Sequence, residues 1–248
     1  MNSKTTFNYK GKSVLITGGT GSFGQALTKH ILKKHPEVER VVVFSRGEQE
    51  QASMARELSV EEYPKLHFII GDVRDKERVL QAFQGIDYVI HTAAMKNISI
   101  TEANLGECIK TNIGGAENVI EAALKTKVSR VVGLSTDKAC APVSLYGATK
   151  LAADKLFVAT NCIPSNQTTR FSVVRYGNMM GSSGSVVPFF IKKKETGVLP
   201  ITHPEMTRFN ISIQEGVDMV LSVLECTWGG EFLCLNSLLI ELQIWPKR

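Results

Sequence analysis

A glycine-rich loop between a strand and a helix is the feature that most restricts the fold of this sequence. The apolar run Ser13–Thr17 leads into Gly18, Gly21 and Gly24, and a helical pattern starts near Gln25. In a dinucleotide-binding βαβ unit these glycines permit a tight turn, close approach of a pyrophosphate and packing of helix on strand. The helix N terminus then faces the phosphates. The loop predicts a nicotinamide dinucleotide site, with a plain glycine turn as the alternative.

Short β-branched runs alternate with amphipathic stretches along much of the chain. This alternation predicts an α/β fold, a Rossmann-type doubly wound parallel sheet with helices on both faces. The expected helices carry ordinary terminal signals; Asp75, for example, caps residues 76–83, and Gly85 ends them. The predicted strands are residues 14–17, 40–44, 67–70, 88–91 and 128–134.

Composition argues against several other classes of protein. The chain has 248 residues, 43% of them hydrophobic, which suits one sizeable core or one core and part of a second lobe. Its net charge of +5 is spread along the chain, so we expect no nucleic-acid partner. No apolar run reaches the roughly 18 residues of a membrane span, and the N terminus is too polar for a signal peptide. Five scattered cysteines without a C-x-x-C pair suit buried thiols in a reducing compartment, the cytoplasm by default, with no metal site.

The turn after the second predicted strand bears on the choice of cofactor. Ser45 and Arg46 stand where an NAD-selective site usually has an acidic residue. A guanidinium can pair with a 2′-phosphate, so this turn favours NADP. The alternative is a solvated arginine paired with Glu48 or Glu50. After the third strand, Asp72 is expected to contact the adenine or to serve as a turn residue.

A glycine- and serine-rich run at residues 181–185 is the first such break in the chain. We therefore expect an NADP-binding Rossmann domain over residues 1–180 and a smaller, incomplete substrate-binding lobe over residues 181–231. Some strands and helices of the two are expected to interleave. Residues 232–248 form an atypical tail.

Tyr146 and Lys150 are four residues apart on a predicted helix and so share one face. A neighbouring ammonium favours the phenolate, which makes Tyr146 a candidate base for a sugar hydroxyl during hydride transfer. The lysine can also hold the nicotinamide ribose. A tyrosine and lysine at this spacing are common in unrelated helices, but the pair follows the fifth strand and the step Ser135-Thr136, behind a cofactor loop.

Asp137 and Lys138 follow the same strand, at the sheet edge where open α/β sheets bind ligands. A simple dehydrogenase needs only the tyrosine, the lysine and a hydroxyl. A further acid–base pair suggests additional proton transfers, such as enolisation and loss of water. A surface salt bridge is the alternative, and spacing does not decide which of the two residues is the acid.

Nine motifs together resemble one family. Over Lys12 to about Glu231 the chain is similar to bacterial UDP-N-acetylglucosamine 4,6-dehydratases that invert C5, within the extended short-chain dehydrogenase/reductase family. The Thr-Asp-Lys step distinguishes the inverting dehydratases from their relatives. Related retaining dehydratases have an Asp-Glu pair at this place, and most 4-epimerases have neither pair. The motifs are residues 16–24, 44–46, 71–75, 93–96, 107–112, 134–139, 145–150, 174–178 and 206–209.

The resemblance implies a reaction for surface polysaccharide or glycan synthesis that regenerates its NADP. Tyr146, aided by Lys150 and Thr136, would deprotonate the 4-hydroxyl of UDP-N-acetylglucosamine while C4 gives up hydride. Lys138 would then remove the C5 proton, Asp137 would help the 6-hydroxyl leave as water, and hydride would return to C6. The product is a UDP-4-keto-6-deoxy-N-acetylhexosamine.

The resemblance also implies binding residues. The expected substrate pocket includes Arg208 as a diphosphate ligand; Asn97 and Asn210 depart from the family pattern, which has histidine and an aromatic residue there. The implied cofactor residues are Gly18, Thr20, Gly21, Ser22, Phe23, Gly24, Ser45, Arg46, Asp72, Val73, Ala93, Tyr146 and Lys150. The implied substrate residues are Lys96, Asn178, Pro188, Phe189, Thr202 and Arg208.

Two other functions stay open. A nucleotide-sugar 4-epimerase would share the tyrosine, the lysine and the cofactor. An inactive, truncated relative would only bind NADP or partner subunits. Family members commonly assemble as homo-oligomers through helices flanking the sheet, so an oligomer is expected.

The motif pattern ends after Glu231, where the family continues with a Phe-Val-Pro-Lys strand and a further helix. Within codon degeneracy, a single-nucleotide shift from Phe232 gives Phe-Val-Pro-Lys-Phe-Pro-Leu-Asn-Arg-Ile-Ala-Asp-Met-Ala-Lys-Ala. We hypothesise that the tail is truncated or read out of frame, and that dehydratase activity is weak or absent. An uninterrupted gene ending at Arg248, with no family-like continuation in another frame, would contradict this.

Overall fold

A computed structural model of the protein describes residues 7–164, 168–182, 185–200, 203, 205–234 and 238–241. The strands are β1 Ser13–Thr17, β2 Arg40–Ser45, β3 Leu66–Ile70, β4 Tyr88–His91, β5 Arg130–Thr136, β6 Arg170–Tyr176, β7 Asn178–Met179, β8 Thr207–Ile211, β9 Phe232–Cys234 and β10 Leu238–Glu241. The α-helices are α1 Ser22–Lys34, α2 Glu48–Glu57, α3 Lys76–Ala82, α4 Ile98–Ala103, α5 Leu105–Ile109, α6 Gly115–Thr126, α7 Leu145–Thr160, α8 Val186–Lys193 and α9 Ile213–Cys226.

Seven strands form one parallel sheet in the order β3-β2-β1-β4-β5-β6-β9. This arrangement confirms the predicted α/β class and the Rossmann-type doubly wound sheet. A second sheet of three short strands has the order β10-β8-β7, with β10 antiparallel to β8. In the described part of the chain, no helix is both long and apolar enough to cross a membrane.

Successive residues of the strands serve two separate cores, because side chains alternate across a sheet. In β1, Val14 and Ile16 pack with α1 and α9, whereas Leu15 packs with α3, α6 and α7 on the other face. Helix α9 is held there by Val217 and Leu224, both fully buried. The helix therefore covers the main sheet, although its residues fall in the segment expected to form the substrate lobe.

Within the seven-stranded sheet the structure corrects one predicted strand and adds two. The fifth strand is Arg130–Thr136 rather than residues 128–134. The cause is the end of α6: Lys127 adopts a left-handed conformation with φ of 58°, and the Val128 amide donates to Ala123 at 2.9 Å. Strands β6 and β9 complete the sheet, and both lie outside the five strands predicted from periodicity.

His91, at the end of β4, lies between the sheet and α7. Only 1% of the residue is exposed, its Nδ1 is 2.8 Å from Thr17 Oγ1, and its ring centroid is 5.7 Å from that of Phe157. Burial, together with the charge of Lys150, lowers the pKa of His91 to about 3. The imidazole is therefore neutral in the folded protein.

We predict that His91 makes the fold sensitive to acid. Below about pH 6.5 the unfolded chain takes up a proton that folded His91 excludes, so stability falls by up to about 1.4 kcal/mol per pH unit toward pH 3. Unfolding by urea between pH 7 and pH 4 measures the slope. The variant His91→Asn, which keeps a polar partner for Thr17 but does not titrate here, should show a smaller slope. An equal slope in both proteins would refute the prediction.

Candidate active site

A cleft of about 990 Å³ lies at the carboxyl ends of the central strands. It extends from the turn after β2, past the glycine loop, to α7. Among the predicted catalytic and substrate residues, those that line it are Thr136, Lys138, Tyr146, Lys150, Lys96 and Asn178. The predicted cofactor residues that line it are Gly18, Thr20, Gly21, Ser22, Phe23, Gly24, Ser45, Arg46, Val73, Ala93, Tyr146 and Lys150.

The glycine loop leaves room for a phosphate group at the N terminus of α1. Gly18 has φ of +64°, and a Cβ there would lie 2.8 Å from Thr92 Oγ1. A Cβ on Gly24 would lie 2.5 Å from Gly19 Cα, so helix and loop touch through backbone atoms. Gly21 caps α1 without a side-chain hydrogen bond to the first turn. Backbone amides at this helix end can therefore bind a pyrophosphate, and the residues fit a dinucleotide.

Arg46 reaches the cleft from the turn after β2, with 59% of its side chain exposed. Its Nη1 is 3.6 Å from Asp72 Oδ2, so its ionic partner is Asp72 rather than Glu48 or Glu50. Asp72 itself is not among the residues that line the cleft. Its Oδ1 accepts a hydrogen bond from the Arg74 amide at 3.0 Å, the role of a turn residue. Asp72 does not line the cleft; its carboxylate pairs with Arg74 and with Arg46.

Tyr146 and Lys150 lie on one face of α7, as the spacing predicts. Burial raises the pKa of Tyr146 to about 12, and a hydrogen bond with Thr136 opposes this shift. Burial also lowers the pKa of Lys150, of which only 4% is exposed. The pKa of Tyr146 therefore moves in the opposite direction from the one expected beside an ammonium, because loss of solvation outweighs the neighbouring charge.

Asp137 and Lys138 lie in a 3₁₀ turn directly after β5. Lys138 Nζ donates to Asp137 Oδ1 at 3.0 Å and to Asn178 Oδ1 at 3.0 Å. Thr136 Oγ1 donates to the same Asp137 oxygen at 2.9 Å. Asp137 does not itself line the cleft. The two charged residues form a salt bridge, which the sequence analysis gave as the alternative to an acid–base pair. The lysine of this salt bridge also lines the cleft, as expected of an acid–base pair.

The remaining predicted substrate residues differ in position. Lys96 lines the cleft as an exposed residue, and partial desolvation lowers its pKa. Pro188 and Phe189 on α8 and Arg208 on β8 do not line the cleft. No residue of α8 is buried, so packing does not hold this helix against the site. Thr202 lies outside the described residues.

Three polar residues of the site region are not among the site residues predicted from the sequence. Asn112, in a π-helical turn, accepts from the Met95 amide at 2.8 Å and donates to Thr149 Oγ1 at 3.0 Å. It thus joins the loop carrying Lys96 to α7. Asp154 and Arg175 form a buried ion pair at 2.8 Å. The spacing of four between Lys150 and Asp154 was the available signal.

A Rossmann sheet with an open glycine loop and a tyrosine–lysine pair at its carboxyl edge defines the short-chain dehydrogenase/reductase class. Within it, residues 14–241 match the family described as polysaccharide biosynthesis protein, and the chain belongs to that family. The match extends past Glu231, where the motif pattern ends.

Two relatives are UDP-N-acetylglucosamine 4,6-dehydratases (inverting) from Campylobacter jejuni. One is 55% identical over 222 residues, 89% of this chain and 65% of the relative; the other, from a second strain, is 53% identical over 225 residues, 90% and 66%. The chain thus spans slightly less than two thirds of the length of these proteins. A UDP-glucose 4-epimerase from Rickettsia akari is 42% identical over 239 residues, 95% of this chain and 69% of the relative.

Solved structures agree with the fold. Pen from Bacillus thuringiensis has a TM-score of 0.93 and 37% identity, over 97% of this chain and 74% of that one. The dTDP-glucose 4,6-dehydratase DesIV from Streptomyces venezuelae, solved with NAD, has a TM-score of 0.84 and 22% identity, over 95% of this chain and 79% of that one. At that identity the second likeness shows the fold alone.

We predict that Gly24→Ala displaces α1 from the loop, because the new Cβ would lie 2.5 Å from Gly19 Cα. Overpacking of this kind costs about 1–3 kcal/mol, and we expect affinity for NADP or NAD to fall at least about tenfold. Calorimetry of unfolding and fluorescence titration measure the two effects. Gly106→Ala is the matched control, since a Cβ there meets nothing within 4 Å. Equal behaviour of the two variants would contradict the prediction.

Proposed function

We propose that this chain is an NADP-dependent UDP-N-acetylglucosamine 4,6-dehydratase that inverts C5. One observation carries the proposal: Lys138 Nζ is held 3.0 Å from Asp137 Oδ1 and 3.0 Å from Asn178 Oδ1, in the cleft that Tyr146 also lines. A second acid–base pair beside the tyrosine suits elimination of water. The names of the Campylobacter relatives support the same substrate.

The first proton transfer belongs to Tyr146. Its phenolate would accept the proton of the sugar 4-hydroxyl, and the Thr136 hydroxyl, which donates to Asp137 Oδ1 in this structure, would turn to donate to the phenolate. Because burial raises the pKa of Tyr146, the phenolate needs the positive charge of Lys150 nearby. The cofactor would supply hydride acceptance at C4 and hydride return at C6, and is regenerated in each cycle.

The second pair of transfers belongs to Lys138 and Asp137. An ammonium is not a base, so the reaction would require one proton to move first from Lys138 Nζ to Asp137 Oδ1, which are 3.0 Å apart. The pair then consists of a neutral amine and a carboxylic acid. The amine would take the C5 proton, which the 4-ketone acidifies, and the acid would protonate O6 as the C6–O6 bond breaks and water leaves.

Arg46 supports the choice of NADP over NAD. Its guanidinium lies at the cleft, paired only loosely with Asp72 at 3.6 Å, so it is free to bind a 2′-phosphate. Glu50 also lines the cleft, and its negative charge acts against binding of the 2′-phosphate there.

We further propose that Lys96 and Asn178 bind the nucleotide sugar, with Pro188, Phe189, Thr202 and Arg208 completing the pocket as the family resemblance implies. Lys96 lines the same cleft as Tyr146. The product would serve polysaccharide or glycan synthesis, and the chain would act as a homo-oligomer.

A 4-epimerase is the second candidate, because relatives from Rickettsia carry that name. It would use Tyr146 and Lys150 in the same way, but it has no need of Asp137 and Lys138 at the cleft. A chain that binds NADP without turnover is the third.

We predict that the UDP-N-acetylglucosamine converted in D₂O, however slowly, gives a 4-keto-6-deoxy sugar with deuterium at C5, because Lys138 exchanges its proton with solvent. Nuclear magnetic resonance of the product decides between the candidates. An epimer without solvent deuterium would support the epimerase instead, and binding without any product would support the inactive form.

The variant Lys138→Met should lower deuterium incorporation at least about a hundredfold, since it removes the proposed base. Lys125→Met, on the surface of α6, is the matched control and should leave the rate unchanged. Undiminished incorporation in Lys138→Met would remove this residue from the mechanism.

We predict that Arg46→Ala lowers NADP affinity about tenfold to a hundredfold and changes NAD affinity little, because only NADP carries the 2′-phosphate. Isothermal titration with both nucleotides measures the ratio. Arg56→Ala, farther along α2, is the control and should change neither affinity. An equal loss for both nucleotides would show that Arg46 does not read the phosphate.

A further inference from the structure

Helix α7 carries three ionisable residues at intervals of four: Tyr146, Lys150 and Asp154. Residues at this spacing share one face of a helix. That face packs against the sheet, where Lys150 is 4% exposed and Asp154 only 2%. Two opposite charges are therefore buried one helical turn apart, behind the tyrosine.

Asp154 is fixed from two neighbouring strands. Its Oδ2 accepts hydrogen bonds from Ser135 Oγ of β5 at 2.7 Å and from Arg175 Nε of β6 at 2.9 Å. Arg175 Nη2 lies 2.8 Å from the same oxygen. Ser135 directly precedes Thr136, so the carboxylate is tied to the strand end that carries the proposed catalytic groups.

The electrostatic environment couples Asp154 to Lys150. Burial lowers the pKa of Lys150, and the negative charge of Asp154 opposes that shift. Burial raises the pKa of Asp154, while Ser135, Lys150 and Arg175 oppose the rise. A buried ammonium without a counter-charge tends to lose its proton.

The other ionisable groups around this cluster act differently. On β4, His91 is kept neutral in part by the charge of Lys150. Asp137, after β5, and Cys108, on α5, act on Tyr146. For Lys150, Asp154 is the source of the counter-charge. On the far side of Asp154, Cys140 and Cys234 lie near the guanidinium of Arg175.

We propose that Asp154 is a positioning residue whose anchored carboxylate keeps the buried side chain of Lys150 as an ammonium beside Tyr146. The role of that ammonium, holding the cofactor ribose and favouring the phenolate, rests on the proposed function. Arg175 is a second cation paired with the carboxylate of Asp154 and offsets part of its negative charge, so it reduces the effect of Asp154 on Lys150. Removal of Asp154 and removal of Arg175 should therefore act on Lys150 in opposite directions.

The direct test is the titration of Lys150 in protein labelled with ¹³C at lysine Cε, without any ligand. The resonance is assigned by its absence in Lys150→Met. We expect the titration midpoint to fall by at least about one pH unit in Asp154→Asn and to rise in Arg175→Met. Asp154→Glu should restore most of the midpoint. A general loosening of the structure would not produce shifts of opposite sign.

An unchanged midpoint in Asp154→Asn would overturn the proposal. If that variant does not fold, Arg175→Met decides, and an unchanged or lower midpoint overturns it. The titration needs neither NADP nor a sugar, so its outcome is independent of the proposed function. Failure of the unsubstituted protein to bind NADP or NAD would count against the proposed function alone.

A second measurement connects the charge to binding. The affinity of Asp154→Asn for NADP should fall at least about tenfold between pH 6 and pH 9, as Lys150 loses its proton, whereas the unsubstituted chain should lose less. In protein that already carries Lys150→Met, the further substitution Asp154→Asn should lower the affinity for NADP only slightly. An equal effect of Asp154→Asn in both backgrounds would make its role merely structural and would refute the proposal.

Discussion

The site depends on the pairing of β5 between β4 and β6. This strand is buried along most of its length and pairs in parallel with both neighbours, so its carboxyl end opens at the same edge as theirs. That end places Ser135 and Thr136 in the sheet and Asp137 and Lys138 in the turn that follows. Helix α7 packs on the same strands, and the tyrosine therefore faces the salt bridge. A shift of one residue in β5 would turn each side chain to the opposite face.

The sequence predicts the features that depend on local patterns. The strand–glycine–helix step, the alternation of elements and the spacing of Tyr146 and Lys150 each lie within a few residues. What it does not predict depends on contacts between distant residues. The Asp154–Arg175 pair spans two elements, and the raised pKa of Tyr146 comes from burial that no motif encodes. The position of α8 likewise could not be predicted, because none of its side chains is buried.

The strand β9 shows why an unexpected segment can still complete a sheet. Its partner register with β6 is formed by backbone groups, such as the bond from the Val173 amide to Glu231 O at 3.0 Å, and these require no particular side chain. One side chain nevertheless contacts the site region. The Phe232 ring lies 4.8 Å from the guanidinium of Arg175, which in turn holds Asp154. Phe232 thus covers the outer end of the buried charge cluster.

Two ion pairs near the site differ in burial, and we assign acid–base chemistry to one and positioning to the other. Asp137 and Lys138 are partly exposed, with side-chain exposures of 28% and 32%, so they remain within reach of solvent and substrate at the cleft and suit acid–base steps. Asp154 and Arg175 are far more enclosed, and a buried pair contributes mainly by fixing geometry, since desolvation offsets much of its attraction. Lys150 lies between these two environments. Its charge is useful to Tyr146 only while it is retained, and retention of so deeply buried a charge requires a carboxylate that cannot move away. The anchoring of Asp154 by two strands meets that requirement.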